Sequence, residues 1–270
     1  MLTSRRARAM RAFVRLALGG PLLGAALLIV ACASRPAPLE PPAPTIAPYD
    51  TVRGEPLWAV VPLRNETGVS FVDSYAISDR VVAAAAQVRG VRALPLNRTI
   101  AQMRALGMHA LESPDDARRL ATELGADAII VGSITSYDPY KPALGLALAL
   151  YPTPRGRIED PRHVDLDPRQ LIYQPTEYTY FPEHREPRDE PGSVVSEHLD
   201  GENHQVIYDV RGYAQGRQDP EQRVLGWRRY LASMELFTEF AAHHTVAQLI
   251  RQEWLRTERM AREDDRRPRR

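Results

Sequence analysis

The most apolar segment of the chain, residues 126–134, constrains its fold more than any other feature. It reads ADAIIVGSI, follows Gly125 directly and is rich in β-branched residues, which is typical of a buried strand. A second apolar run, LGLALALY at residues 144–151, comes soon after it, behind Lys141 and Pro142. Because the two runs are so close in sequence, we expect them to form an antiparallel hairpin.

Strand and helix signals alternate in the preceding part of the chain. Apolar runs predict strands over residues 57–63 and 91–96, and a turn-rich cluster at 64–68 ends the first of them. Helices are predicted over residues 80–88, 98–106 and 114–124. Each helix has a polar N-cap candidate before it and a glycine after it, namely Ser78 or Asp79 with Gly90, Asn97 with Gly107, and Ser113 with Gly125. Helices between strands predict an α/β (α+β) fold, with a small mixed sheet flanked by helices.

The carboxyl-terminal part of the chain is predicted to be helical over residues 202–258. A short helix over 205–213 precedes a long amphipathic helix that begins near Leu225. In the long helix, aromatic and aliphatic residues recur every three or four positions. We expect this stripe to pack on the protein's own sheet, because such stripes usually belong to a core; a helix offered to a partner is the alternative. The charged residues 259–270 are expected to be a solvated tail.

Residues 153–201 are rich in proline and charge, and we predict that they form an irregular insertion after the 51–152 domain. Within them, residues 169–180 predict one strand, which Pro175 would confine to a sheet edge. The insertion also contains the imidazoles and carboxylates that a metal site uses, at His163, Asp165, Asp167, Glu183 and His184. A metal-dependent periplasmic enzyme using residues 163–184 is therefore an alternative function.

The first 32 residues carry a targeting signal. An arginine-rich stretch at 5–15 leads into an apolar run at 16–31, which is too short and too rich in glycine and proline for a span of ~20 residues. Its end, LIVAC at 28–32, resembles the lipobox of bacterial lipoproteins. The resemblance implies that residues 1–31 are removed between Ala31 and Cys32 and that Cys32 is acylated. No aspartate follows Cys32, which in lipoproteins implies transfer to the periplasmic face of the outer membrane.

A proline-rich linker follows the lipidation site at Cys32. Residues 33–50 contain six prolines and few residues that a core would use. We expect these residues to be an extended tether, which at ~3.1 Å per residue would span on the order of 55 Å.

A family resemblance covers residues 57–152. The segments AVVPLRNETG, ISDRVVAAAAQVRGVRALPLNR and ARRLATELGADAIIVGSIT occur in the order seen in the fold group of the TolB amino-terminal domain, CsgG and the penicillin-binding-protein activator LpoB, which they resemble. The resemblance implies an α/β domain that docks an envelope protein. We predict Asn65 and Thr67 of this domain, and Tyr178 of the insertion, as possible partner contacts. A ring-forming secretion component like CsgG is a further alternative, although residues 153–201 lack the paired ten-residue alternating segments of a barrel hairpin.

Catalytic motifs and nucleic-acid-binding features are missing from the sequence. Cys32 is the only cysteine, so its acylation would leave no thiol, and neither a G-x-S-x-G elbow nor a phosphate loop occurs. His243 and His244 are adjacent and point in different directions on a helix, unlike a zinc-binding i, i+4 pair. Five arginines lie in residues 1–31, so the mature chain is mildly acidic and no nucleic-acid partner is expected. We expect a non-enzymatic interaction module without a cofactor, held at the membrane through Cys32 and bound to an envelope protein; a homo-oligomer is left open.

Overall fold

The computed structural model describes residues 43–52, 54–153, 191–217 and 225–265. The predicted signal peptide, the lipidation site at Cys32, the predicted strand at 169–180 with Tyr178, and the metal-site candidates at 163–184 lie outside these ranges.

Six strands in the described part form one mixed sheet. They are β1 (Leu57–Val60), β2 (Arg64–Asn65), β3 (Arg92–Ala93), β4 (Ala128–Asp138), β5 (Ala143–Pro152) and β6 (Ser193–Asp200). The strand order is β3-β1-β4-β5-β6, and β2 pairs with β4 beyond the end of β1. The pairings among β1 to β4 are parallel, whereas β5 runs antiparallel to both β4 and β6. The predicted mixed sheet and its central hairpin are confirmed.

Six helices accompany the sheet within the described ranges. They are α1 (Ser74–Ala86), α2 (Leu96–Ala105), α3 (Pro114–Glu123), α4 (His204–Gln215), α5 (Arg228–Ala232) and α6 (Met234–Asp265). None of the helices in these ranges combines the length and the apolar character that crossing a membrane would require.

The main core lies on the sheet face covered by α1, α4 and α6. The side chains of β5 alternate strictly, so that four leucines with at most 1% exposure point into this core, at Leu144, Leu146, Leu148 and Leu150. They meet the buried stripe of α6, which includes Phe237, Phe240, Leu249 and Ile250. The expectation that the long carboxyl-terminal helix packs on the protein's own sheet is confirmed.

The helices of the described ranges cover only part of the other sheet face. Helices α2 and α3 form a second core there, in which Met103 and Leu120 pack with Ala59 and Ile129 of β1 and β4. The same face of β5 and β6 carries Ala147 and Ala149, which are half-buried, and Val194, which is 54% exposed. This difference in cover leaves a groove beside α2 and α3.

Two of the predicted N-caps are wrong and one is confirmed. Helix α1 starts earlier than expected, because Asp73 caps it by accepting a hydrogen bond from the Ala76 N–H at 2.9 Å. Ser78 lies inside the helix, where its hydroxyl donates to the Ser74 carbonyl. Asn97 also lies inside a helix, since α2 already begins at Leu96. Ser113 caps α3 in a capping box with Asp116, as its sequence predicts.

The strand expected over residues 57–63 is shorter than predicted, and a second short strand begins in the cluster that was expected to be a turn. Strand β1 stops at Val60 and β2 begins at Arg64, and Pro62 between them has no N–H to add to a ladder. The strand expected over 91–96 is reduced to two residues, because Pro95 turns the chain into α2. Residues 193–200, which were expected to be irregular, form β6 instead, because Val195 and Leu199 alternate into the core.

The two ends of the described chain also differ from expectation. Helix α6 does not end at 258 but continues to Asp265, so the start of the charged tail is helical. Residues 43–50, expected to extend freely, instead lie on the body: Ile46 pairs with Arg89, and Ala47 is only 5% exposed. Residues 43–50 therefore belong to the folded body and not to the predicted tether.

Candidate docking groove

The groove beside α2 and α3 has a volume of about 700 Å³. Its floor consists of sheet residues with small or medium side chains, Val131, Ser133, Ala147, Ala149 and Val194. One wall is formed by α2 and the loop that follows it, through Met103, Arg104, Met108, Leu111 and Glu112. The opposite rim carries Arg64, Glu66 and Tyr75. A cleft of this volume, with an apolar floor and charged side chains at its rim, is a candidate binding site.

The loop at residues 65–69 is held in shape by the two side chains that the sequence singles out. The Asn65 side chain accepts hydrogen bonds from the Thr67 N–H at 3.0 Å and the Thr67 hydroxyl at 2.8 Å, and its amide donates to the Val69 carbonyl at 2.8 Å. The Thr67 hydroxyl in turn accepts from the Val69 N–H, and Gly68 has a φ of +74°, which glycine adopts without strain. Asn65 and Thr67 therefore shape the loop, and their polar groups are engaged within it.

Two aromatic side chains are displayed where this loop enters α1. Phe71 is 66% exposed and meets only the edge of Tyr137, with the ring centroids 6.2 Å apart. Tyr75 is 57% exposed and forms part of the groove rim. Sequence reasoning missed both residues, because the start of α1 was placed after Ser78. Once Asp73 is recognised as the cap, Phe71 falls in the exposed loop before the helix.

The rim of the groove carries charges of both signs. Arg64 and Arg104 lie along it with Glu66, Glu112 and the imidazole of His109. None of these side chains takes part in an ion pair within the described ranges. A partner with complementary charges could pair with these rim groups. Such pairing increases specificity and the rate of association more than it increases affinity.

A serine–histidine pair crosses the same sheet. Ser136 Oγ and His198 Nδ1 are 2.9 Å apart, on either side of β5. They meet above Gly145, where an added Cβ would come within 2.6 Å of Ser136 Oγ. In the described part of the chain, no carboxylate hydrogen bonds to His198, so the pair lacks the third group of a serine hydrolase triad there.

The two adjacent histidines of α6 lie in different surroundings. His243 stands beside Tyr213, with the ring centroids 4.9 Å apart, whereas His244 contacts Phe240. Burial lowers the pKa of His243 to about 4, assisted by the nearby charge of Arg217, so this imidazole is neutral at pH 7. Within the ranges described, no group of three histidine, cysteine or acidic side chains is placed to hold a metal ion.

A buried charged cluster lies elsewhere, where α6 meets residues 43–50. Glu253 is fully buried and pairs with Arg256, which is 4% exposed, at 2.8 Å between Oε2 and Nη2. The same carboxylate accepts hydrogen bonds from the hydroxyls of Tyr49, at 2.7 Å, and Ser193. Burial, followed by the charge of Glu253, holds the pKa of Tyr49 well above its usual value, so Tyr49 keeps its proton and remains a donor.

Comparisons with known proteins give only distant likenesses. No family model matches the chain, and no curated protein matches it. Among solved structures, the LpoB C-terminal domain from Salmonella enterica is similar at 18% identity over 40% of this chain and 79% of that chain, with a TM-score of 0.33. A lipoprotein from Neisseria meningitidis is similar at 18% identity over 37% of this chain and 74% of that chain, with a TM-score of 0.31.

A third similar structure, a hypothetical protein from Chlamydia trachomatis, is 10% identical over 76% of this chain and 96% of that chain, with a TM-score of 0.33. The LpoB domain belongs to the fold group that the sequence resembles. At these identities and TM-scores, however, neither membership of a family nor a function follows for this chain.

Proposed function

We propose that this protein is a lipid-anchored module on the periplasmic face of the outer membrane, which docks a segment of an envelope protein in the groove. The role is one of binding, without a catalytic step, in envelope assembly, secretion or cell-wall synthesis. The observation that carries the proposal is that the described helices cover one sheet face incompletely. Helices pack over β1 and β4, whereas the adjoining floor at Ala147, Ala149 and Val194 stays accessible.

The composition of the floor supports a macromolecular partner. Small side chains such as Ala147 and Ala149 let another backbone approach the sheet closely, and Val131 and Val194 add apolar area. The exposed ring of Tyr75 at the rim belongs to a residue type that often dominates binding energy at interfaces. Truncating such an anchor typically weakens binding by ~2 kcal/mol, or roughly 30-fold.

The position of the groove relative to the anchor supports the same role. The N-terminal end of α1 carries Tyr75 at the groove, whereas the C-terminal end of α1 lies beside Pro44, where the chain from the anchor reaches the body. The 13 residues of α1 separate these two places by ~20 Å along the helix, at ~1.5 Å per residue. A partner in the groove would therefore not compete with the incoming chain for the same surface.

In-cell photo-crosslinking tests the proposal. A photoreactive amino acid at Tyr75 on the rim, or at Phe71 in the loop before α1, should capture an envelope protein, because both side chains are exposed. The matched control is Tyr208 on α4, which is 51% exposed but lies on the far side of the sheet. Equal capture at Tyr208, or no capture at any of the three positions, would contradict docking at the groove. Capture of the protein itself would favour the ring-forming alternative.

A further inference from the structure

Residues 43–50, which we call the strap, join the body through a small number of specific contacts. The Arg89 N–H donates to the Thr45 carbonyl, and the Ala47 N–H donates to the Arg89 carbonyl, both at 2.9 Å. The indole N–H of Trp254 donates to the Ile46 carbonyl at 2.8 Å, and the Tyr49 hydroxyl reaches Glu253. The strap is thus held on two sides, by the turn before β3 and by α6.

The backbone pairing of the strap is limited in extent. It consists of the single bridge between Ile46 and Arg89, with its two backbone hydrogen bonds, and does not continue as a longer ladder within the described residues. The Ile46 side chain of the strap is 50% exposed, Ala47 is buried, and the Tyr49 ring packs partly buried against the core. A segment with few buried apolar groups and few hydrogen bonds opens locally at a lower cost than the body unfolds.

The receptor for the strap, in contrast, is built into the core. Glu253 holds Tyr49 of the strap, Ser193 at the start of β6 and Arg256 through the same carboxylate. Tyr49 also lies edge-on against Trp58 of β1, with the ring centroids 6.1 Å apart. The receptor therefore keeps its shape when the strap leaves, because Ser193 and Arg256 still satisfy the carboxylate.

We infer that the strap is a releasable clasp that sets how far the body can stand from its lipid anchor. The consequence for reach rests on the lipidation of Cys32, which is part of the proposed function. With the strap docked, the ten residues 33–42 connect it to Cys32, and a chain of that length can span at most ~30 Å at ~3.1 Å per residue. With the strap released as far as Glu55, the connection has 23 residues, and the same bound rises to ~70 Å. The maximum distance between the groove and the membrane is therefore short when the strap is docked and long when it is released.

Thiol labelling of the full-length lipoprotein in detergent tests this inference. Cys32 is the only cysteine, so a cysteine introduced in place of Ala47 is the only thiol available to a maleimide once Cys32 is acylated. Because Ala47 is buried under the docked strap, Ala47→Cys should react at least tenfold more slowly than Val52→Cys, which replaces a side chain that is 91% exposed. Adding Tyr49→Phe should speed the reaction of Ala47→Cys about tenfold, since it removes a hydrogen bond to a charged group.

Two further variants make the result decisive. Trp254→Phe, which removes the bond to Ile46, should also speed the reaction of Ala47→Cys, whereas Tyr208→Phe should leave it unchanged. Rapid labelling of Ala47→Cys without these changes would overturn the inference, because the strap would not be docked. A slow rate that neither Tyr49→Phe nor Trp254→Phe alters by twofold would also overturn it, because the strap would be a fixed part of the body.

The lipid anchor is checked separately in the same experiment. Protein without an introduced cysteine should take up no maleimide. Uptake at Cys32 would refute the anchor, and with it the control of reach, whatever the rates at Ala47 are.

Discussion

Glu253→Gln should destabilise the protein strongly, because it removes one charge from a buried ion pair. The carboxylate is fully buried, and its partner Arg256 is 4% exposed. The carboxylate accepts two hydrogen bonds from Arg256, at 2.9 Å from Nε and 2.8 Å from Nη2, and one each from Tyr49 and Ser193. Glutamine keeps the shape of the side chain but removes the negative charge that pairs with the Arg256 guanidinium inside the protein.

The expected loss can be estimated from the burial of the pair. Removing one partner from a buried ion pair typically costs ~3–5 kcal/mol, because the remaining charge is uncompensated. For a body of this size, ~1 kcal/mol lowers the melting temperature by ~2–4 °C, so Glu253→Gln should lower it by roughly 6–20 °C.

Thermal unfolding followed by circular dichroism measures this loss, and the same helix supplies a matched control. Glu258 pairs with Arg262 at 3.7 Å, but the two side chains are 56% and 76% exposed. Glu258→Gln should therefore change stability by less than ~0.5 kcal/mol. A melting temperature for Glu253→Gln within ~2 °C of that for Glu258→Gln would refute the reasoning, since the carboxylate would then not be a buried partner.

Three further predictions concern stability and binding. The pKa of His243 lies at about 4 in the folded protein and near 6.5 when unfolded, so stability should fall by at most ~3 kcal/mol as the pH drops from ~6.5 to ~4. The free energy of unfolding of His243→Gln, measured by urea titration at each pH, should lack this part of the pH dependence. Gly132→Ala should cost about 3 kcal/mol in urea unfolding, because its Cβ would lie 2.2 Å from the Ala147 carbonyl oxygen, whereas Ser133→Ala should be nearly neutral. Tyr75→Ala should weaken partner capture roughly 30-fold while the melting temperature stays unchanged, since the side chain is 57% exposed.

The fold could be predicted where local patterns are strong. The β4–β5 hairpin and the capping box at Ser113 depend on neighbouring residues, and their sequence signals are clear. Ser78 misleads because a serine before an apolar run looks like a cap, while its hydroxyl in fact accepts from the Leu63 N–H at 2.8 Å inside the fold. Local reasoning cannot separate these two uses of a hydroxyl.

The strap and the groove were harder to predict, because both depend on contacts between segments that are distant in the sequence. Trp254 and Ile46 are 208 residues apart, and Tyr49 and Glu253 are 204 apart, so composition alone describes the strap as a free tether. Glu253 stands among charged residues that favour a solvated surface, yet it is fully buried. The groove also depends on tertiary packing, because α2 and α3 pack over β1 and β4 and do not extend over β6.

Photo-crosslinking from the floor of the groove tests the docking role most directly. A photoreactive amino acid at Val194, which is 54% exposed on β6 and lines the groove, should capture the same envelope protein as a probe at Tyr75 on the rim. A probe at Tyr208 should not capture it. If Val194 captures nothing while Tyr75 and Tyr208 capture the same proteins equally, then the groove is not a docking site and the proposed function is wrong.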